Sequence, residues 1–534
     1  MKHTRDVIYL NGNIWTGVAG APRAEALAVR GEEILAVGSG DEVSALCGPQ
    51  ARVVDLKGRS VVPGFIDSHT HFISGGLQLT SVDLRDAQSR REFVRRIGKF
   101  AKGLKEGRWI TGGDWDHEAW GGELPHRDWI DTVTPDVPVF VNRLDGHMAL
   151  ANSRALERAG ITMETPDPDG GTIMRDPVTG QPTGILKDEA MALVYATIPA
   201  PTEKELDEAL ERAMDHAVAQ GITQIHDMGT WSHLETLRRA ARKETLKLRV
   251  YSFVPLSTWP QLGQYIDMYG QGGNWHRWGG LKGFVDGSLG STTAWFYQPY
   301  DDAPQTHGLV VTDTSVLRSW IERGDALGLQ VAVHAIGDQA NDWLLDTYAS
   351  ISAKNGSRDR RFRIEHAQHL TNNAIERFRH QGVVPAMQPY HAIDDGRWAE
   401  KRIGPERIKT TYAFRALLDA GASVCFGSDW TVAPISPLEG IYAAVTRRTL
   451  DGLNPEGWVP AEKITVAEAL RCYTLHSARS GFMEDRTGTL EPGKLADFVV
   501  LSQDLFTIDP VDIPQAQIFM TIVGGKVQYQ VDDH

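Results

Sequence analysis

Short apolar runs alternate with amphipathic segments along the middle of the chain, a pattern typical of a parallel α/β fold. Apolar residues recur at helical spacing over 202–219, which predicts a helix there. Eight apolar runs predict parallel strands at residues 61–68, 137–143, 221–226, 280–285, 329–333, 361–365, 382–387 and 422–428. Eight strand–helix units predict a (β/α)8 TIM-like barrel, in which ligands bind at the carboxyl ends of the strands.

Both ends of the chain have a different pattern, of short strands separated by glycine-containing turns. Strand-like runs occur at residues 7–10, 26–30, 33–37 and 52–55, and again at 496–501, 518–523 and 524–529. Neither end supplies enough strands for a stable packed sheet, so we expect one composite β-sandwich from residues 1–62 and 487–534. The barrel then spans 63–486, and the long gaps at about 73–135 and 148–200 are expected to be insertions near its mouth.

Composition and charge narrow the range of functions. Of the 534 residues, 41% are hydrophobic and 23% are charged, as in a soluble enzyme, and the net charge of −14 argues against a nucleic-acid partner. No segment has the apolar length of a membrane span or of a secretory signal. The three cysteines are far apart, as in a reducing compartment. We therefore expect a cytoplasmic protein with a small-molecule substrate and no membrane partner, and the sequence leaves a homo-oligomer open.

Candidate metal ligands stand where the predicted strands end. His69 and His71 are separated by one residue at the end of an apolar run, so a strand would present both imidazoles on one face. His334, His366 and Asp429 each follow a later apolar run. These five groups predict a site for one or two divalent ions, with zinc the best match. For a single histidine, the alternative is a buried imidazole with ordinary hydrogen bonds.

These residues also carry a family resemblance. The segment Pro-Gly-Phe-Ile-Asp-Ser-His-Thr-His at 63–71, the strand-end histidines 334 and 366, Gly-Ser-Asp at 427–429 and the segment at 488–498 resemble the amidohydrolase superfamily. The segments at 145–152, 286–291 and 334–338 resemble amidohydrolase family 3, which includes N-substituted formamide deformylases. The resemblance covers nearly the whole chain.

The resemblance implies a ligand set of His69, His71, His334, His366 and Asp429, with Asp429 also the general base. It further points to Lys282, because a lysine on strand four of two-metal members is carboxylated and bridges both ions. A charged lysine inside an apolar barrel must be paired or neutralised. The alternatives are an ion pair between Lys282 and Asp286, and a one-metal site.

The implied reaction is attack by metal-activated hydroxide on a carbonyl group. Asp429 would take the proton of the water and pass it to the departing nitrogen. His147 is the candidate donor to the oxyanion, the alternative being a structural hydrogen bond within its own turn. Candidate substrate contacts, in an aromatic-lined pocket for an N-aryl or N-alkyl group, are Trp115, His226, Asp286 and Trp295.

The sequence thus predicts a metal-dependent hydrolase that cleaves a carbon–nitrogen bond, with an N-substituted formamide or a related small amide as the substrate. One alternative is hydrolysis of a cyclic imide or amidine, or deamination, because the same nucleophile could attack either. A non-catalytic barrel scaffold is a further alternative. It would be expected to lack ligands, and all five are present.

Overall fold

The computed structural model describes residues 5–104, 107–143, 148–168, 171–290 and 292–531. The chain divides into two units, one formed by Met1–Gly75 with Leu210–His534 and the other by Gly76–Ala209. The first unit contains an eight-stranded parallel barrel sheet and two further sheets, which confirms the predicted fold class.

The barrel sheet contains its strands in the order of the chain. They are Phe65–Thr70, Ile222–Met228, Arg249–Pro255, His276–Phe284, Gln330–Ala335, Arg363–His366, Val384–Met387 and Cys425–Phe426. Backbone hydrogen bonds join the first strand to the segment after the eighth, from Asp429 N–H to the His69 carbonyl (2.8 Å) and from His71 N–H to the Trp430 carbonyl (2.7 Å). These bonds close the barrel, so the carboxyl ends of all eight strands meet at one rim.

One of the strand predictions needs correction, and one barrel strand was not predicted. The run at 137–143 is a strand, Phe140–Asn142, but it pairs antiparallel with Met148–Ala151 in the other unit and does not join the barrel. The third barrel strand is instead Arg249–Pro255, which the sequence analysis missed. The charged Arg249 interrupts the apolar pattern there, but Asp497 neutralises it through hydrogen bonds of 2.6 and 3.0 Å.

The helices of the first unit connect and cover these strands. They are Gly40–Ala45, Phe72–Gln78, Glu203–Ala219, Trp231–Arg242, Trp259–Tyr269, Thr314–Ala326, Asp338–Asn355, Asn372–Gln381, Pro389–Asp395, Ala399–Arg407, Phe414–Asp419, Pro437–Thr446, Val466–Tyr473 and Leu475–Ser480, with short 3₁₀ turns at Leu256–Thr258, Ile408–Thr410, Pro460–Glu462 and Pro510–Gln515. Glu203–Ala219 agrees with the helix predicted over 202–219. Within the described ranges, no helix has both the length and the apolar character to cross a membrane.

Two sheets built from the chain ends form the second part of this unit. One contains, in spatial order, Glu33–Gly38, Ala26–Arg30, Val7–Leu10 and Arg52–Asp55. The other contains Lys526–Gln530, Ile518–Val523, Phe498–Leu501, Ser60–Pro63, Asn13–Trp15 and Arg23–Ala24. Their shared core joins Tyr9 and Leu27 of the first sheet to Phe498 and Ile522 of the second. Both chain ends therefore contribute to one hydrophobic core.

The unit Gly76–Ala209 has sheets of its own. A four-stranded antiparallel sheet contains Phe140–Asn142, Met148–Ala151, Pro182–Asp188 and Gly171–Arg175, and Val82–Asp83 pairs with Gly112–Gly113. Its helices are Arg90–Lys102, Arg127–Asp131, Ser153–Arg158 and Ala192–Tyr195, with 3₁₀ turns at His117–Trp120 and Glu189–Met191. The segments expected to be two insertions, together with the strand between them, thus form one compact unit with its own apolar cores.

Candidate metal centre

The predicted ligands lie at or near the carboxyl ends of five barrel strands. The first strand supplies His69 and the residue after it, His71; the fourth supplies Lys282, the fifth His334 and the sixth His366; Asp429 comes three residues after the eighth strand. Since these ends share one rim, groups more than 350 residues apart in sequence meet in one place.

The side chains converge on a small volume. Oδ1 of Asp429 lies 3.5 Å from His69 Nε2 and 3.3 Å from His71 Nε2. The ring centroids of His69 and His366 are 5.0 Å apart, and those of His334 and His366 are 4.6 Å apart. One donor atom from each of His69, His366 and Asp429 lies within 4.8 Å of the other two, and all three residues are buried.

The backbone at the end of the eighth strand is shaped for this convergence. A Cβ atom at Gly427 would lie 2.5 Å from the backbone nitrogen of His69, so only glycine allows the two strand ends to approach this closely. Asp429 and His366 have φ angles of +58° and +75°, in the left-handed region that side-chain-bearing residues rarely occupy. Such strain persists where the surrounding fold enforces it, commonly at functional sites.

Hydrogen bonds set the tautomer of each imidazole. A carbonyl oxygen can only accept, so the ring nitrogen facing it carries the proton and the other ring nitrogen has a free lone pair. The pairs are His71 Nδ1 with the Met228 carbonyl (3.2 Å), His366 Nδ1 with Gln388 Oε1 (2.8 Å) and His334 Nε2 with the Gly287 carbonyl (2.9 Å). This arrangement, a lone pair on one nitrogen and an oriented proton on the other, is that of metal-binding histidines.

His69 is oriented by a charged group that the sequence analysis missed. Its Nδ1 donates to Glu365, which is fully buried and also accepts from Arg363 at 2.7 and 3.0 Å. The opposite nitrogen, Nε2, is buried and has no hydrogen-bond partner among the described residues. A partnerless buried lone pair beside a carboxylate is the feature that a bound cation would satisfy, so the donor set fits a divalent ion.

The electrostatics keep these ligands in their metal-binding protonation states. Burial, reinforced by the charge of Lys282, lowers the pKa of His69 to about 4 and that of His334 to about 3, so both are neutral at pH 7. Burial would raise the pKa of Asp429, but the neighbouring imidazoles outweigh it and hold that pKa well below its usual value. His69 and His334 are therefore neutral imidazoles at pH 7, and Asp429 is an ionised carboxylate.

Lys282 lies inside the barrel with 7% of its surface exposed. Burial lowers the pKa of its ammonium group to about 8, against the opposing charges of Glu365 and Asp429. Within the described residues, no carboxylate oxygen lies within the 4.0 Å of an ion pair with its Nζ. The ion pair with Asp286, one of the alternatives considered for Lys282, is therefore absent.

Asp286 and His226, two predicted substrate contacts, have structural partners. The carboxylate of Asp286 accepts backbone N–H bonds from Trp295, Ile336 and Gly337 at 2.7–3.0 Å, and so ties the segment after the fourth strand to the one after the fifth. His226 is completely buried, with its Nδ1 2.8 Å from Arg363 Nη1. Both side chains are buried and bonded to the protein itself, which does not favour a substrate contact; their assignment stays a prediction.

The aromatic candidates differ from each other. Trp115 is fully buried in the apolar core of the unit Gly76–Ala209, and its indole N–H donates to the Val141 carbonyl at 2.8 Å. This position favours a packing role, and its assignment to a substrate pocket stays a prediction. Trp295 is half-buried in the first unit and stays a candidate. His147, the predicted oxyanion donor, lies outside the described residues.

Other polar residues of the centre were also missed. Asp67 accepts from the backbone N–H groups of His69 (3.1 Å) and Ser428 (2.9 Å), which links the first strand to the segment after the eighth. His391, on the helix after the seventh strand, has its Nε2 4.0 Å from Oδ2 of Asp429. The available signal for Glu365 was two opposite charges, at 363 and 365, within a predicted buried strand. No comparable signal marked His391.

Comparisons with known proteins agree with this geometry. A sequence profile of the amidohydrolase family matches residues 52–529. Protein LONG AFTER FAR-RED 3 of Arabidopsis thaliana is 43% identical over 98% of this chain and 91% of its own length. N-substituted formamide deformylase of Arthrobacter pascens is 31% identical, with 99% of each chain covered. The crystal structure of an uncharacterized metal-dependent hydrolase from Pyrococcus furiosus superposes with a TM-score of 0.80 at 31% identity, covering 94% of this chain and 100% of that one.

Proposed function

Since this chain belongs to the amidohydrolase family and is a metal-dependent hydrolase, we propose that it cleaves the carbon–nitrogen bond of a small linear amide, with an N-substituted formamide as the substrate class. The observation that carries the proposal is the convergence of donor atoms of His69, His366 and Asp429 within 4.8 Å of one another, together with Nε2 of His69, which has no hydrogen-bond partner in the described part of the chain. The name of the relative from Arthrobacter pascens supports the choice of substrate.

The residues that would hold the ion are His69, His71, His334, His366 and Asp429. We propose zinc, because neutral imidazoles and a single carboxylate suit a borderline divalent ion. Lys282 supports a second ion: an amine whose pKa is lowered to about 8 is partly neutral at pH 7–8 and can react with carbon dioxide. The resulting carbamate would be an anion within the ligand set.

Asp429 moves the proton in the proposed reaction. A bound divalent ion supplies Lewis acidity, which lowers the pKa of water and polarises the substrate carbonyl. Asp429 is ionised at neutral pH and accepts the proton of the attacking water. It then delivers this proton to the amide nitrogen as the carbon–nitrogen bond breaks, so that one amide and one water give one carboxylic acid and one amine.

The position of Phe284 favours an apolar N-substituent. Lys282 and Phe284 lie two residues apart on the fourth strand and therefore face the same side, the barrel interior. Gly283 faces the opposite side, where an added Cβ would meet Leu256 at 2.8 Å. The ring of Phe284 lies 5.4 Å from that of His334 and is 42% exposed, so it presents aromatic surface beside the ligands.

A substrate panel tests the proposal. We would assay the zinc-loaded protein with N-alkyl and N-benzyl formamides, N-acetyl amines, cyclic imides and cyclic amidines, measuring formate, amine and ammonia. The expected result is release of formate and amine in equal amounts from the formamides. If only the cyclic imides or amidines were hydrolysed, the substrate class would be cyclic and the proposal of a linear amide would be wrong. Release of ammonia would indicate deamination.

The same panel tests Phe284. Lengthening an N-alkyl chain should raise kcat/KM by roughly two- to fourfold per methylene in the parental protein, the factor expected for burying that surface. Phe284→Ala should flatten this dependence, whereas Phe284→Leu should keep most of it. An unchanged dependence in Phe284→Ala would mean that the N-substituent binds elsewhere.

Metal analysis of protein purified without added ions tests the centre itself. We expect two equivalents of zinc in the parental protein and one in Lys282→Met, in which carboxylation is impossible. One equivalent in both proteins would establish a one-metal site, and Lys282 would then have no part in binding the ion.

A further inference from the structure

His391 is a polar group of the centre that the proposed reaction does not yet use. It lies on the helix Pro389–Asp395, directly after the seventh barrel strand, and so at the same rim as the metal ligands. Its Nε2 is buried and has no hydrogen-bond partner within the described part of the chain. Leaving a buried donor without a partner costs free energy, so such a group in an active centre indicates an absent binding partner.

The carboxylate of Asp429 lies between the ring of His391 and the rings of His69 and His71. Its Oδ1 faces His69 and His71 at 3.5 and 3.3 Å, and its Oδ2 faces Nε2 of His391 at 4.0 Å. The ring of His391 is nearly parallel to that of His366, with an interplanar angle of 13° and centroids 6.3 Å apart. His391 therefore borders the base on the side away from His69 and His71.

The distance to Asp429 excludes a direct hydrogen bond. At 4.0 Å the two atoms are beyond hydrogen-bonding range, so no hydrogen bond to Asp429 holds His391 in this position. The negative charge of Asp429 nevertheless favours the tautomer with the proton on the nearer nitrogen, Nε2. With the proton on Nε2, His391 is an N–H donor that lies beside the base and has no acceptor among the residues that the structure describes.

We propose that Nε2–H of His391 donates a hydrogen bond to the carbonyl oxygen of the substrate and stabilises the negative charge that develops on this oxygen. The inference rests on the proposed amide hydrolysis. The carbonyl oxygen is the acceptor that an amide offers, and the atom that gains charge when water adds to the carbonyl carbon. The N–H bond of His391 stays intact, while Asp429 carries the transferred proton.

Two substitutions at one position test this role. Gln can place an amide N–H near the position of Nε2, whereas Phe fills a similar volume and has no donor. We expect His391→Phe to lower kcat by roughly 10²–10³-fold, the loss usual for one oxyanion donor. His391→Gln should retain at least a tenth of the parental kcat. His380→Phe, at an exposed histidine on the helix Asn372–Gln381, is the matched control and should leave kcat unchanged.

A binding measurement separates this role from a structural one. N-benzyl methylphosphonamidate mimics the tetrahedral intermediate of amide hydrolysis, with a methyl group in the place of the formyl hydrogen, and its affinity for the zinc-loaded proteins can be measured by calorimetry. His391→Phe should weaken this binding by the same factor as kcat and change KM less than threefold, with the zinc content unchanged. If His391→Phe raised KM and lowered the zinc content by a factor similar to its effect on kcat, His391 would have a structural role and the inference would be overturned.

The outcomes also separate the inference from the function on which it rests. If the parental protein hydrolyses formamides and His391→Phe does so at the parental rate, the role of His391 is refuted and the proposed function stands. If the parental protein hydrolyses no amide of the panel, the proposed function fails, and the role of His391 fails with it.

Discussion

Glu365→Gln is the substitution for which the structure gives the most specific expectation. Glu365 is fully buried, orients His69 through Nδ1, and neutralises Arg363 through hydrogen bonds of 2.7 and 3.0 Å. Gln has nearly the same shape but no charge. The change therefore leaves a buried guanidinium without its counter-ion. It also leaves a single acceptor oxygen, for which His69 Nδ1 and Arg363 compete, so the proton of His69 is no longer fixed on Nδ1 by a carboxylate.

The loss of folding stability and the loss of zinc affinity differ in size and are measured by different assays. Breaking a buried ion pair by removing one partner costs about 3–5 kcal/mol, and Gln, which can still accept one hydrogen bond, should be at the lower end. For 534 residues the entropy of unfolding is about 1.1 kcal/mol per kelvin, so the midpoint of thermal unfolding should fall by about 3 °C. Loss of the orienting carboxylate should weaken zinc binding by roughly 10–100-fold. The first effect is measured by calorimetry on metal-free protein and the second by competition with a chelating dye.

A double variant separates the two effects. Replacing both partners with apolar residues, Arg363→Met with Glu365→Leu, removes both charges, so stability should recover relative to Glu365→Gln. Zinc affinity should not recover, because His69 still lacks its carboxylate acceptor. If Glu365→Gln bound zinc with parental affinity, the role assigned to Glu365 in orienting His69 would be refuted.

Three further expectations concern other residues. Asp429→Asn should retain zinc, since four imidazoles remain, but lose more than about 10³-fold in turnover; a parental rate with normal zinc content would exclude Asp429 as the base. Burial lowers the pKa of His276 to about 3, so between pH 6.5 and 3 the unfolded chain binds a proton that the folded chain does not, and stability should fall by about 1.4 kcal/mol per pH unit as the pH decreases. His276→Gln should reduce this slope in urea unfolding, and an equal slope would contradict the cause. Asp497→Asn should cost about 3–5 kcal/mol by leaving Arg249 unpaired, and Arg249→Met with Asp497→Leu should cost less, which the same measurement checks.

The sequence predicted the parts of the fold that depend on local pattern. The apolar runs at strands one, two and four to eight and the helix at 203–219 follow from periodicity. The convergence of His69, His71, His334, His366 and Asp429 was predictable because each lies where an apolar run ends, and a barrel brings those ends together. Their role as metal ligands stays a prediction. The missed third strand shows the limit of this approach, because a buried charge such as Arg249 is neutralised by a residue 248 positions away that local pattern cannot reveal.

The environment of the ligands was the part that pattern could not predict. Asp286 reads as a pocket residue in sequence, but three backbone N–H groups from distant turns occupy its carboxylate. Trp115 was a candidate substrate contact in the sequence, but it packs in the apolar core of the unit Gly76–Ala209. Whether a polar side chain faces a ligand or the protein itself depends on tertiary contacts, and these were available only from the structure.

The composite sandwich has a consequence for biosynthesis. Ser60–Pro63 pairs with Phe498–Leu501, so this neighbouring strand is translated more than 430 residues later. Throughout that interval the nascent polypeptide exposes the edge and the apolar face of its early strands on the ribosome, a surface suited to chaperones. Completion of this half of the molecule must therefore wait until residues 498–501 have been translated, and a ribosome stalled before residue 498 leaves a product that cannot bury its own beginning.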